Sequence, residues 1–182
     1  MGGDVDYIAL LRGINVGGHT VKMDTLRRLF EELGFGNVRS YIQSGNVFFI
    51  SDETDRAALA ERIERHLRAS LGYEVPVCLR TVAELEQVIA ADPFRHLTIT
   101  PDMRLCVMFT NDAIPRDLAL PLRSPKGGME IIATTEHEAF VVWYLKDGRP
   151  PAAYEFKEVL GKKTTTRFFH TTAKILAAAK QA

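Results

Sequence analysis

The chain of 182 residues lacks any apolar run near the roughly 20 residues that a membrane helix needs. Its start, "MGGDVDYIALL", carries acids where a secretory leader would carry bases, and the apolar run stops at Arg12. These absences predict a soluble, cytoplasmic protein. Cysteine is scarce. Cys78 and Cys106 stand alone in predicted strands, which suits a reducing compartment and buried thiols. No C-x-x-C and no paired His/Cys spacing appears, so no metal site is expected. His66, His96, His137 and His170 likewise show no ligand spacing. Net charge is zero, so no overall field draws the chain to nucleic acid. No G-K-[ST], no G-x-G-x-x-G and no G-x-S-x-G occurs, so the generic phosphate, dinucleotide and nucleophile-elbow motifs are missing. No cofactor is implied, and no reaction, substrate or oligomeric state can be named.

The charge that is present is uneven. Lys157, Lys162, Lys163, Arg167, Lys174 and Lys180 face a single acid, Glu158, in the last part of the chain. A basic tail of this kind suits either phosphate contacts on a nucleic acid or packing on an acidic neighbour within the chain.

Apolar residues make up 46% of the sequence, enough for a sizeable core. "DYIALLR" (6–12) predicts a strand, and Met23, Leu26, Leu29, Phe30 and Leu33 recur at helical spacing up to Gly34. "NVRSYIQ" (37–43) and "NVFFI" (46–50) predict a hairpin around "SG". A helix over 54–71 and a strand over 75–80 complete a β-α-β-β-α-β order, the split βαβ or ferredoxin-like unit. Residues 81–182 predict a diverged second unit: a helix at 81–91, strands at 104–110, 129–134 and 139–145, and helices at 151–161 and within 164–180. The last strand of that unit is not evident. The expected fold is therefore α+β, with two ferredoxin-like units, 1–80 and 81–182, built of antiparallel sheets with helices on one face. Strands 1 and 3 are apolar on both faces, which predicts two units packed together.

In this topology the end of strand 1, the start of helix 1 and the hairpin of strands 2 and 3 share one edge. That edge joins "RGINVGG" (12–18) to "YIQSGN" (41–46). Arg12, Gly13, Asn15, Gly17, Gly18, Gln43, Ser44 and Asn46 gather there beside the positive end of a helix, and Lys22 adds charge. Glycines and free backbone N–H groups admit close approach of a small anion, phosphate- or nucleotide-like. The other reading is plainer: the glycines serve tight turns and the polar side chains tie the two loops together. Base stacking on strand 3 is disfavoured, because Phe48 and Phe49 lack the spaced aromatic and basic pattern of RNA-recognition sheets. His19 lies in the loop and could titrate near neutral pH. Trp143 and Tyr144 are expected in the core or an interface.

The stretch "YIALLRGINVGG" followed by "VKMDTLRRLFEELGFGNVRSYIQSGNVFF" resembles the N-terminal signature of a bacterial family called domain of unknown function 1697. "DPF" (92–94) and "TTTR…T" (164–171) resemble its later landmarks. The resemblance implies two ferredoxin-like subdomains and no known activity. It also implies that the C-terminal helix usually opens with Thr-x-Arg-Asn-Trp-Asn-Thr. Here Arg167 and Thr171 match, while Phe168, Phe169 and His170 depart, and His19 stands where asparagine is usual. By this reading Arg167 is a candidate to close the anion site.

Overall fold

The computed structural model describes residues 3–15, 17–42, 45–152 and 156–181. The chain runs β1 (Val5–Leu11), α1 (Met23–Glu31), β2 (Gly36–Tyr41), β3 (Asn46–Ser51), α2 (Arg56–Leu71), β4 (Val77–Thr81) and α3 (Val82–Ala91). It continues with β5 (Met103–Thr110), β6 (Leu122–Arg123), β7 (Met129–Thr134), β8 (Glu138–Tyr144), α4 (Lys157–Leu160), β9 (Thr164–Phe168) and α5 (Phe169–Ala179). The fold is α+β, with two antiparallel sheets of four and five strands and helices packed against them. Two compact units emerge: residues 1–86 together with 175–182, and residues 87–174.

In the first unit the strand order is β2-β3-β1-β4, with every neighbour antiparallel. β1 and β2 therefore run parallel with β3 between them, as the split βαβ order predicts. Alternation along the strands sends Tyr7, Ala9, Leu11, Val47, Phe49, Val77 and Leu79 to the face that meets the helices. α1 lays Leu26, Leu29 and Phe30 on that face, and α2 lays Leu59, Ile63 and Leu67. Phe49 is the hub: it stacks on Phe35 at 4.4 Å and on Tyr7 at 5.5 Å, and meets Phe30 at 5.6 Å. Each such fully buried side chain is worth about 1.5–3 kcal/mol of transfer free energy. Ile8, Leu10, Phe48 and Cys78 alternate onto the opposite face and are buried too.

The helix ends are chemically specified. Asp55 Oδ1 accepts from the Ala58 N–H at 3.1 Å and starts α2. Gly72, at φ 85°, ends it with a bond from its N–H to the Arg68 carbonyl. Thr81 and Glu84 form a reciprocal capping box at α3. The Glu84 N–H donates to Thr81 Oγ1 at 3.2 Å, and the Thr81 N–H donates to Glu84 Oε2 at 2.9 Å. Arg56 reaches the same carboxylate at 2.7 Å. At the chain's end, Arg39 of β2 lies over the Phe48 ring and donates to the carbonyls of Ala178, Ala179 and Gln181. A cation thus caps the negative end of α5.

In the second unit the order is β6-β7-β8-β5-β9. Removing β6 leaves β7-β8-β5-β9, the same order as β2-β3-β1-β4 with β5 in the place of β1. The first crossover helix is replaced by the proline-punctuated stretch after β5, which contributes Ile114, Leu118 and Leu122 to the core. These pack with Phe156 and Leu160 on Cys106, Met108, Met129, Ile131, Ala139 and Val141.

Two expected elements differ. The helix expected over 151–161 is a single turn, Lys157–Leu160; residues 153–155 lie outside the described set. The threonines of 164–166, expected to cap the final helix, instead form β9, paired with β5 from Thr110↔Thr164 to Cys106↔Phe168. Threonine serves equally as a helix cap and as a β-branched strand former, so its local preference is split. Pairing with β5 decides between them. α5 then begins directly at Phe169.

Candidate functional site

The register places the two loops at one edge of the first sheet. Leu10 pairs with Asn46 across β1 and β3, and Leu11 with Val77 across β1 and β4. Beyond the strand the backbone remains tied: the Leu11 N–H donates to the Gly45 carbonyl at 2.9 Å, and the Arg12 N–H to the Pro76 carbonyl at 3.1 Å. Gly45 sits at φ 92°, and a Cβ there would lie 2.8 Å from Ile14 Cγ2 and 2.9 Å from Leu11 Cβ. Glycine is required at this point both for the dihedral and for the contact.

The two candidate asparagines, Asn15 and Asn46, are structural ties. Asn46 is fully buried and its Nδ2 donates to the Tyr41 carbonyl at 3.0 Å, closing the β2–β3 hairpin. Asn15 Oδ1 accepts from the Val21 N–H at 2.7 Å, closing the loop that leads into α1. Ile14 is buried in the core and pins the loop from beneath. Tyr73 donates to the Ile14 carbonyl at 3.4 Å, and His19 stacks on the Tyr73 ring at 3.7 Å and 19°.

Between these ties the loop turns on glycine. Gly13, Gly17 and Gly18 hold φ of 71°, 62° and 88°. Gly17 and Gly18 are exposed, and a Cβ at either would meet open space. Arg12 is half-buried at the strand's end. Lys22 is exposed at the N-cap of α1, which has no side-chain capping bond. Asp24, in the first helical turn, already brings a carboxylate to that positive end, and Arg27 pairs with it. Opposite, at the hairpin, Ile42 is exposed with φ 50°. A β-branched residue in the left-handed region is strained, and such strain concentrates at functional loops.

The edge thus unites Arg12, Gly13, Asn15 and Asn46, with Gly17 and Gly18 on the continuing loop. Gln43 and Ser44 lie outside the described residues. Arg167 belongs to the second unit: it is a buried residue of β9, opposite Val107, and its Nη1 donates to the Thr166 carbonyl at 3.0 Å. Sequence reasoning missed the packing role of Gly45, the Ile14 anchor, the His19–Tyr73 stack and the strain at Ile42. The first could be suspected from glycine at a hairpin; the others depend on residues distant in sequence or on backbone geometry.

Elsewhere, Cys78 and Cys106 are buried thiols. Burial pushes the Cys106 thiol far up, so it stays protonated and unreactive. Among the described residues no group of three His, Cys, Asp or Glu could hold a metal ion. No helix among them is long and apolar enough to cross a membrane.

Comparison with curated proteins finds no match. Among solved structures, the conserved bacterial protein SP0830 from Streptococcus pneumoniae is similar, with a TM-score of 0.69 and 21% identity over 98% of this chain and 100% of that one. At that identity the likeness concerns the fold alone. Residues 5–140 match the family described as Protein of unknown function (DUF1697), and the chain belongs to that family.

Proposed function

We propose that the edge formed by residues 12–18 and the β2–β3 hairpin binds a small anionic ligand, of phosphate or nucleotide character. The observation that carries this reading is the division of labour along the loop. Asn15, Asn46 and Gly45 are committed to holding it, whereas Gly17 and Gly18 stand exposed at positive φ with open space beside them. A rigidly braced loop with two consecutive bare glycines lets backbone N–H groups approach an anion closely. Arg12 supplies the fork for its charge, and Lys22 a second cation at the uncapped helix start. Asp24 opposes a highly charged ligand there, which favours an anion engaged mainly by the loop.

Thermal-shift titration with inorganic phosphate, mononucleotides and small carboxylates tests this. At 100 times its dissociation constant a ligand adds about 2.7 kcal/mol of stability. Arg12→Ala should abolish the shift while leaving the fold intact. No shift with any of these anions overturns the proposal.

A second reading is favoured by the same two asparagines: the edge is a structural clasp with no ligand. Asn46→Ala would then be costly, about 1–3 kcal/mol for the Tyr41 carbonyl stripped of its buried donor. Both readings require that loss; only the first requires the anion-dependent shift.

A further inference from the structure

The second unit carries an aromatic group that the glycine edge does not use. Arg104 and Trp143 are direct partners across β5 and β8, so their side chains share a face. Cys106, two residues on along β5, faces Phe168 of β9. Phe168 therefore stands on the same face, on the other side of β5. The Trp143 and Phe168 rings meet edge to face at 5.7 Å, and His170, at the start of α5, lies parallel to Phe168 at 12° and 5.7 Å.

This group is built differently from a core. Phe168 is 37% exposed, one of few large apolar residues so placed, and His170 and Arg104 are exposed. Trp143 packs against the unit's apolar cluster, yet among the described residues its indole N–H has no acceptor. Indole is a donor only, and a donor covered without a partner is costly. Arg104 is held by one nitrogen, Nη1, to the carbonyls of Pro101 and Met103 at 2.9 and 2.8 Å. An arginine thus stands on the same sheet face as Trp143. β9 is moreover the edge strand of its sheet among the described residues.

Exposed Phe168 and His170 rings with an arginine on the same sheet face match one ligand chemistry: a flat heteroaromatic ring joined to an anion. We propose that Phe168, His170 and Trp143 form a stacking platform for a nucleobase, with Arg104 placed for its phosphate. The base stacks on the exposed Phe168 and His170 rings, where every base offers a π-face. The source is either a free nucleotide or a base within a single strand, and the test separates them.

Trp143 is the single tryptophan of the chain, so its emission reads this platform and not the glycine edge. The full-length protein is titrated with mononucleotides in one arm and with a single-stranded uridine oligonucleotide in the other. A saturable change in emission in either arm supports the platform; a change with the oligonucleotide alone, weakening steeply with salt, identifies a strand as the source. Phe168→Ala should weaken that binding by about 5- to 150-fold, the equivalent of one lost base stack. His170→Ala, at an exposed helix start, provides the second variant and should weaken it in the same direction. Emission indifferent to both ligands overturns the proposal. So does oligonucleotide binding without any change in emission, or a change that persists undiminished in both Phe168→Ala and His170→Ala.

Discussion

Replacing Gly45 by alanine tests how the candidate edge is held. The added methyl would lie 2.8 Å from Ile14 Cγ2 and 2.9 Å from Leu11 Cβ, inside the van der Waals contact distance of non-bonded carbons. Neither neighbour is the loose end of a flexible chain. Ile14 is a buried, β-branched core residue, and Leu11 Cβ is fixed to a strand whose own N–H is bonded to the Gly45 carbonyl. Two costs therefore add. Holding an L-residue at φ 92° costs about 1–2 kcal/mol. Forcing a methyl into packed surroundings costs about 1–3 kcal/mol more. The expected loss is about 2–5 kcal/mol. Gly17→Ala is the internal control: its φ is 62°, but nothing lies within 4 Å of the new methyl, so only the backbone cost of about 1–2 kcal/mol applies. Urea unfolding followed by far-ultraviolet circular dichroism measures both, as shifts in midpoint at unchanged slope. If Gly45→Ala proves no more damaging than Gly17→Ala, the close packing of the hairpin on Leu11 and Ile14 is refuted, and with it the braced edge.

Two further predictions concern charge. Burial tends to raise the Glu84 carboxyl, but the Arg56 hydrogen bond, the Thr81 amide and the positive charges of Arg56 and Arg80 outweigh it and hold it below its ordinary value of 4.5. A depressed carboxyl contributes stability that is present in full above that value and is lost as pH falls through the folded-state value. Glu84→Gln should therefore flatten the acid limb of the stability profile below about pH 4.5, and an unchanged limb would contradict the assignment. Arg39→Met removes the donors to the carbonyls of Ala178, Ala179 and Gln181 while keeping apolar bulk over Phe48. A charged donor is worth about 1.5–3 kcal/mol, so amide exchange in the last turn of α5 should accelerate roughly 10- to 150-fold. Exchange at the wild-type rate would show that α5 is held by other contacts.

How much of this was legible in advance differs between the two units. In the first, apolar periodicity, the "SG" turn and the glycine ending α1 all agree, and local preference coincides with the final structure. The convergence of residues 12–18 with the hairpin follows from topology alone, because β3 must lie between β1 and β2. The roles within that edge do not follow. Asn15 and Asn46 looked equally suited to a ligand or to a brace, and only the geometry of the Val21 and Tyr41 backbone groups assigns them to bracing.

The second unit shows the limit more sharply. "TTTRF" satisfies both a helix cap and a strand, so the sequence itself leaves it open. Its backbone groups are completed by β5, more than 50 residues earlier, and that partner makes it the edge strand β9. The same event places Arg167 in a buried strand position just ahead of α5 and brings Phe168 near Trp143. The sequence by itself determined the α+β class, the first unit's strand order and the loops that meet at its edge, because those rest on local periodicity and short connections. Tertiary structure decided what a split local preference could not: the identity of β9, the return of residues 175–182 to the first unit under Arg39, and which polar side chains are tied to backbone. Each depends on a partner far along the chain, which no local pattern encodes.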